Sequence, residues 1–196
     1  MCTYKLDLIT QTLLNKQRAE IIGDSTNIYA AVMMIIKQSQ DSLSTLLIKR
    51  STNDRDVFSG HMAFPGGKKK DSDKDKLETA YRETREEVGI DLTKNSILLG
   101  QLDDCKPSTP AAKRFIVRPY VSFLKEDCDI KLNHEVSAVV WIPLLELKNI
   151  YLENLKKYNG QFRKEAFEYS YSDYFIWGLT GRILNNFFNL TNHILY

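Results

Sequence analysis

Three glutamates crowded into one short run, Arg82-Glu83-Thr84-Arg85-Glu86-Glu87-Val88-Gly89-Ile90, constrain this chain more than any other feature. At about 100° per residue, a helix through them places Leu77, Ala80, Tyr81, Thr84 and Val88 on one stripe for a core. Glu83, Glu86 and Glu87 then share the adjoining face, where like charges cost a few tenths of a kcal/mol per pair. A merely solvated face would interleave Lys or Arg, as the pairs Glu78–Arg82 and Arg82–Glu86 do nearby. An uncompensated carboxylate trio suits a hard divalent cation, which takes oxygen ligands. The plain alternative is a charged surface helix.

The flanks support a helix built for a purpose. Asp73 or Asp75 can cap its start, because a carboxylate accepts the orphan backbone N–H groups there. Gly89 can take the left-handed conformation that ends it. Gly66-Gly67, after Phe64-Pro65, permits a tight turn or a close approach to a ligand. The unit reads as strand, glycine turn, loop, acidic helix and glycine stop.

At 196 residues, with 43% hydrophobic and 27% charged residues, one soluble α/β domain spanning 1–196 is the expectation. A net charge of +2 falls short of a dedicated duplex binder, so no nucleic-acid partner is expected. Cys2, Cys105 and Cys128 form neither a disulfide framework nor a zinc signature. Charges near the N-terminus do not suit a secretory signal, and the apolar run Ile28–Ile36 is too short to span a bilayer. The Asn189-Leu-Thr191 sequon is then accidental. An intracellular, cytoplasmic protein acting as monomer or homodimer is expected.

Helical spacing of Leu6, Ile9, Leu13, Leu14 and Ile21 predicts a helix over 4–22. Strands are predicted over 27–37 and 44–49 as a hairpin, then over 60–64, 96–102, 114–124, 135–142 and 166–171. Pro107 and Pro110 mark 103–113 as a loop. Residues 144–147 suggest a short helical turn, 148–164 has no clear assignment, and Ile176–Phe188 predicts a closing helix. Mixed strands between helices at both ends argue a layered α/β/α sandwich.

Gly67, Arg82, Glu83, Glu86, Glu87, Gly89 and Ile90 together resemble the Nudix box, here 67–90. Two departures stand: Asp73 occupies the first Glu position with a spacer one residue longer, and Thr84 holds an aliphatic position. Leu46-Leu-Ile-Lys-Arg50-Ser51 with Gly60-His-Met-Ala-Phe-Pro-Gly-Gly67 resembles the coenzyme A pyrophosphatase-like subgroup, which shares the Asp and the longer spacer. Glu135-Val136, Trp141-Ile-Pro143-Leu144 and Phe175-Ile-Trp177-Gly178-Leu-Thr180-Gly-Arg182 also look like that subgroup. Arg55 lies one residue farther from Gly60 than the subgroup's Arg, in a segment associated with substrate choice.

The resemblance implies a Nudix-type α/β/α sandwich with a mixed sheet, and Mg²⁺- or Mn²⁺-assisted hydrolysis of a diphosphate linked to another moiety. It implies Glu86 and Glu87 as main metal ligands, Glu83 as ligand or base, and Arg82 as the group that holds them. Glu135 is the candidate fourth acid, with an exposed strand-edge carboxylate as the equal alternative. Gly66, Gly67, Lys68, Arg50 and Arg55 are the candidate substrate contacts. Guanidinium groups grip phosphate bidentately, which adds Arg114. His61 and His134 could contact phosphate or a base, although structural roles are commoner; Phe58, Tyr120, Phe123 and Trp177 include possible base-stackers, of which Trp177 is assigned to packing. The expected substrate is a small-molecule nucleoside diphosphate derivative, with coenzyme A or an acyl-CoA leading. Nucleotide sugars, dinucleotides and oxidised nucleoside triphosphates are the rivals, and a non-catalytic nucleotide-binding module is the rival class.

Overall fold

The computed structural model describes residues 2–15, 17–39, 42–53, 58–159, 161 and 163–195, side chains of 2 and 3 excepted. Its central sheet holds seven strands: β1 (Ile28–Ser39), β2 (Ser42–Arg50), β3 (Met62–Ala63), β4 (Gly66–Lys68), β5 (Ser96–Gln101), β6 (Phe115–Leu124) and β7 (Val136–Pro143). The main path runs β3-β2-β1-β6-β5, with β4 added to β1 and β7 to β2. Among the described residues only β1 and β6 pair in parallel, so the sheet is mixed.

Alternation along β1 builds two cores. Ala31, Met33 and Ile35 face helix α2 (Lys76–Val88), in a cluster with Ala80, Val88, Ile90, Leu46 and Ile48. Met34 and Ile36 point the other way, toward Ile9, Leu47, Leu147, Tyr151, Phe187 and Phe188. Those partners come from α1 (Cys2–Asn15), β2, α4 (Leu144–Tyr158) and α5 (Gly178–Thr191). The period of two along a strand therefore produces the three layers. Each fully buried Leu, Ile or Phe contributes about 1.5–3 kcal/mol.

The sheet splays where the site will lie. β6 occupies one edge of β1 from Ile28 to Ile36, and the other edge is divided. β2 takes it only over Ile36–Ser39, whereas β4 takes Ala30–Val32. β2 continues instead with β3 at Ile48 and Lys49. The hairpin thus opens like a fork, and the chain through Phe64-Pro65 crosses from one prong to the other. The Met33 N–H, donating to the Pro65 carbonyl at 2.8 Å, fixes that crossing.

Several expectations need correction. The first helix ends at Asn15, not 22; residues 17–24 run as a strap, with the Ala19 and Ile21 N–H groups donating to Asp103 and Asp104. The pattern continued past the helix because Ile21 recurs at helical spacing, yet Ile22 beside it is almost fully exposed. The glycine turn is itself a short strand, β4. The predicted short turn at 144 is the full helix α4, with Leu144, Leu147 and Tyr151 buried. Residues 164–167 form a 3₁₀ turn, and the predicted strand is a small hairpin, β8 (Tyr169–Tyr171) with β9 (Tyr174–Ile176). A short α3 (Leu92–Asn95) precedes β5.

Candidate active site

Helix α2 is capped by Asp75, whose carboxylate accepts from the Glu78 N–H at 2.9 Å. Gly89, at φ 77°, closes it in the left-handed region. Asp73 has a different task. Its buried carboxylate takes Arg82 in a fork, Nε at 2.8 Å and Nη2 at 2.9 Å, with the Lys70 N–H and the Thr79 hydroxyl completing the shell. The Arg82 guanidinium, followed by the other hydrogen bonds, holds the Asp73 carboxyl well below the usual range despite burial.

Anchored there, Arg82 reaches along the helix. Its Nη1 donates to Glu83 at 2.6 Å and to Glu86 at 3.1 Å, and its Nη2 to the Lys68 carbonyl at 3.0 Å. One guanidinium therefore ties the acidic face to β4.

The three glutamates occupy different depths. Glu86 is exposed, with Lys70 at 3.5 Å; Glu83 is partly buried; Glu87 is 1% exposed. Glu87 accepts from the Gly66 N–H at 2.8 Å, and Arg50 stands at 3.9 Å. Burial pushes its carboxyl up to about 8 against the pull of Gly66 and Arg50, and the charges of Glu83 and Glu135 add to the rise. Burial also raises Glu83, with Arg82 opposing.

The paired glycines fit this corner sterically. A Cβ on Gly67 would stand 2.6–2.7 Å from the Glu83 carboxylate atoms. One on Gly66 would meet the Ala31 carbonyl oxygen at 2.3 Å and the Val32 Cα at 2.6 Å. Beyond them opens a cleft of about 460 Å³, within the range of small-molecule sites. Gly66, Gly67, Lys68 and Arg50 line it, as do His61, Phe58, Phe115, Pro107–Thr109 and Trp177–Thr180.

Other candidates lie elsewhere. Arg55 falls outside the described residues. Arg114 is turned to the Thr26 carbonyl. Glu135 is exposed, near enough to Glu87 for its charge to be felt. His134 is exposed and does not line the cleft. Tyr120 is buried under α2, and Phe123 packs on the opposite core. Trp177, assigned to packing from its spacing, belongs to neither core cluster and instead lines the cleft.

Among the described residues, no three His, Cys, Asp or Glu side chains converge as a ligand group for a metal ion. Glu83 and Glu86 are drawn instead onto Arg82. The donor chemistry nonetheless fits a hard cation: the groups offer oxygen only, and at Glu83 and Glu87 burial, with neighbouring carboxylates adding to it, opposes a negative charge that a cation would offset.

Residues 28–165 match the NUDIX domain profile. The chain belongs to the Nudix hydrolase family. It is 34% identical over 169 residues to the uncharacterized Nudix hydrolase NudL of Photorhabdus laumondii, covering 84% of each chain. It is 35% identical over 165 residues to an uncharacterized protein of Schizosaccharomyces pombe, covering 73% of this chain but 50% of that one. Among solved structures, a C. elegans Ap4A hydrolase complex shares the fold at TM-score 0.53 and 21% identity, over 62% of this chain and 84% of that one. Nudix enzymes as a family use divalent metal ions and small nucleotide substrates. Among the described residues, no helix of the Nudix chain is long and apolar enough to cross a membrane.

Proposed function

We propose that this chain hydrolyses a nucleoside diphosphate linked to a second moiety, releasing two phosphorylated products in the presence of Mg²⁺ or Mn²⁺. The observation that carries the reading is the contact at Gly66-Gly67. The backbone bordering the cleft donates to buried Glu87 and has no room for a side chain beside Glu83. A diphosphate lying along Gly66–Lys68 is thereby brought against the acidic helix.

In this reading Glu83, Glu86 and Glu87 hold the cation, with Glu135 as a fourth acid. A bound divalent ion supplies charge neutralisation at the diphosphate and a more acidic water. Arg82 positions Glu83 and Glu86 from its anchor on Asp73. Arg50 and Lys68 offer positive charge to the phosphates at the cleft edge. Glu83, beside Gly67, is the ligand or base of the reading.

Coenzyme A or an acyl-CoA is the leading substrate, on the resemblance carried by Leu46–Ser51 and Gly60–Gly67. A dinucleotide, a nucleotide sugar and an oxidised nucleoside triphosphate are the rivals within the same chemistry. Free thiols at buried Cys105 and exposed Cys128 support a reducing, intracellular setting. The test is product analysis with coenzyme A, ADP-ribose, NADH, diadenosine polyphosphates and 8-oxo-dGTP, each with Mg²⁺ or Mn²⁺. Glu86→Gln should lower turnover by well over tenfold with an unchanged melting profile, since Glu86 is an exposed side chain away from the core. Full turnover in that variant removes the assignment of the acidic helix. Turnover of 8-oxo-dGTP but not coenzyme A keeps the chemistry and overturns the substrate.

A further inference from the structure

We infer that the C-terminal segment, beyond the stretch 28–165 that matches the NUDIX domain, reads an aromatic ring on the substrate: Trp177, beside His61, is a stacking wall for a purine. The inference takes its site from the proposed hydrolase reading but does not depend on turnover.

The family match ends at residue 165, yet Trp177–Thr180 border the same cleft as Gly66, Gly67 and Lys68. The groups that touch the acidic helix and the groups on this wall therefore come from different parts of the chain. Trp177 stands just before α5 in an extended conformation, at φ −153° and ψ −176°, so its side chain leaves the chain ahead of the helix. It remains half-buried, while Phe187 and Phe188 of the helix proper are fully buried.

Its ring lies 4.7 Å from that of His61 at an interplanar angle of 59°, and Phe58 meets His61 edge-on at 6.2 Å. Three rings are thus grouped on the border of a cleft rather than in the core. Tilted and edge-on arrangements leave parts of the ring faces uncovered by one another, and a flat heterocycle is the ligand that π faces favour. Positive charge accompanies them: the Lys164 ammonium is 5.5 Å from the Trp177 ring centre, and the Lys68 ammonium 5.4 Å from that of Phe115. An apolar acyl tail needs neither feature; a nucleotide, with a flat base on an anionic phosphate, matches both.

The wall is also held in place. The Thr180 hydroxyl donates to the Met62 carbonyl at 2.9 Å, joining α5 to β3. Arg182 Nη1 donates to the Lys106 carbonyl at 2.7 Å, joining α5 to the loop that carries Pro107–Thr109. A base seated against Trp177 would therefore meet a wall already fixed before binding.

The test uses the full chain with Trp141→Phe, so that Trp177 is the one remaining tryptophan and is excited selectively at about 295 nm, away from the tyrosines. AMP and ribose 5-phosphate are the probes, differing only in the base. We expect AMP to quench Trp177 saturably and ribose 5-phosphate to leave it unchanged. Calorimetry should show AMP binding weakened roughly tenfold by Trp177→Leu and kept within about threefold by Trp177→Phe, the range set by base–aromatic stacking. Equal responses to both probes, no response to either, or unaltered AMP affinity in Trp177→Leu would overturn the inference. AMP quenching of Trp177 without turnover of any diphosphate would keep it and remove the hydrolase reading. Turnover with a KM indifferent to Trp177→Leu would do the reverse.

Discussion

Glu87→Gln offers a direct reading of the electrostatics at the acidic corner. The side chain is 1% exposed and accepts from the Gly66 N–H, a bond that a glutamine amide oxygen can also accept. In the unfolded chain the carboxyl titrates at its ordinary value of 4.5, and in the metal-free fold at about 8. Between those values the folded state holds a proton that the unfolded state has lost. Stability therefore falls as pH rises from about 4.5 to about 8 and is level above that. At 1.36 kcal/mol per pH unit the interval of 3.5 sets a ceiling of roughly 5 kcal/mol.

The assay is urea unfolding of both proteins in EDTA at pH 5, 7 and 9. The wild type should lose about 2–4 kcal/mol more than the variant across that range. Glu83 is raised in both proteins, so its share of the slope cancels only as far as its coupling to Glu87 allows. Adding Mg²⁺ or Mn²⁺ should restore much of the wild-type loss at pH 9, because a cation that binds the ionised site stabilises the native state. The variant should respond weakly. Parallel pH profiles for the two proteins would refute the reasoning that Glu87 is ionised at a cost. An equal cation response would refute its part in holding the ion.

The glycine pair should separate stability from activity. Gly67→Ala collides with the movable end of Glu83 and should cost under about 1 kcal/mol in unfolding while lowering turnover more than tenfold. Gly66→Ala collides with the backbone of β1 and should cost about 2 kcal/mol or more, seen as a lower denaturation midpoint. Asp73→Asn leaves Arg82 without its buried partner and should destabilise by about 3 kcal/mol at pH 7, read by thermal melting. Because Arg82 depresses the Asp73 pKa, that contribution is present above the unfolded value near 3.8 and is lost as pH falls below it. The gap between the two proteins should accordingly close in acid.

The parts of the fold that were legible in the sequence are those in which one local rule acts alone. The acidic helix showed its caps, its stripe and its glycine stop, and α2 runs from Lys76 to Val88 with Asp75 and Gly89 at its ends. The strands of the hairpin showed their apolar content, and the two-sided burial of β1 follows from it. Elements set by distant partners were not legible. Residues 17–24 leave the helix because Asp103 and Asp104, far along the chain, accept their N–H groups. Gly66–Lys68 becomes a strand because β2 departs from β1 and leaves an edge open.

The site divides along the same line. Glu83, Glu87 and Arg82 are neighbours on one helix, so their association needed only the helical period. The cleft wall needed three remote pieces, from β3, from the loop after Cys105 and from the start of α5. Trp177 is the instructive residue. A helix drawn from Ile176 places it within the helix and makes it a packing residue, whereas the helix starts at Gly178. That displacement turns Trp177 from a member of a helical stripe into an extended residue ahead of the first turn. From there its side chain meets His61 instead of the core. At a helix boundary a shift of two residues exchanges a role in stability for one in recognition, so a ligand-facing aromatic at such a boundary is identified from its surroundings, not from its spacing.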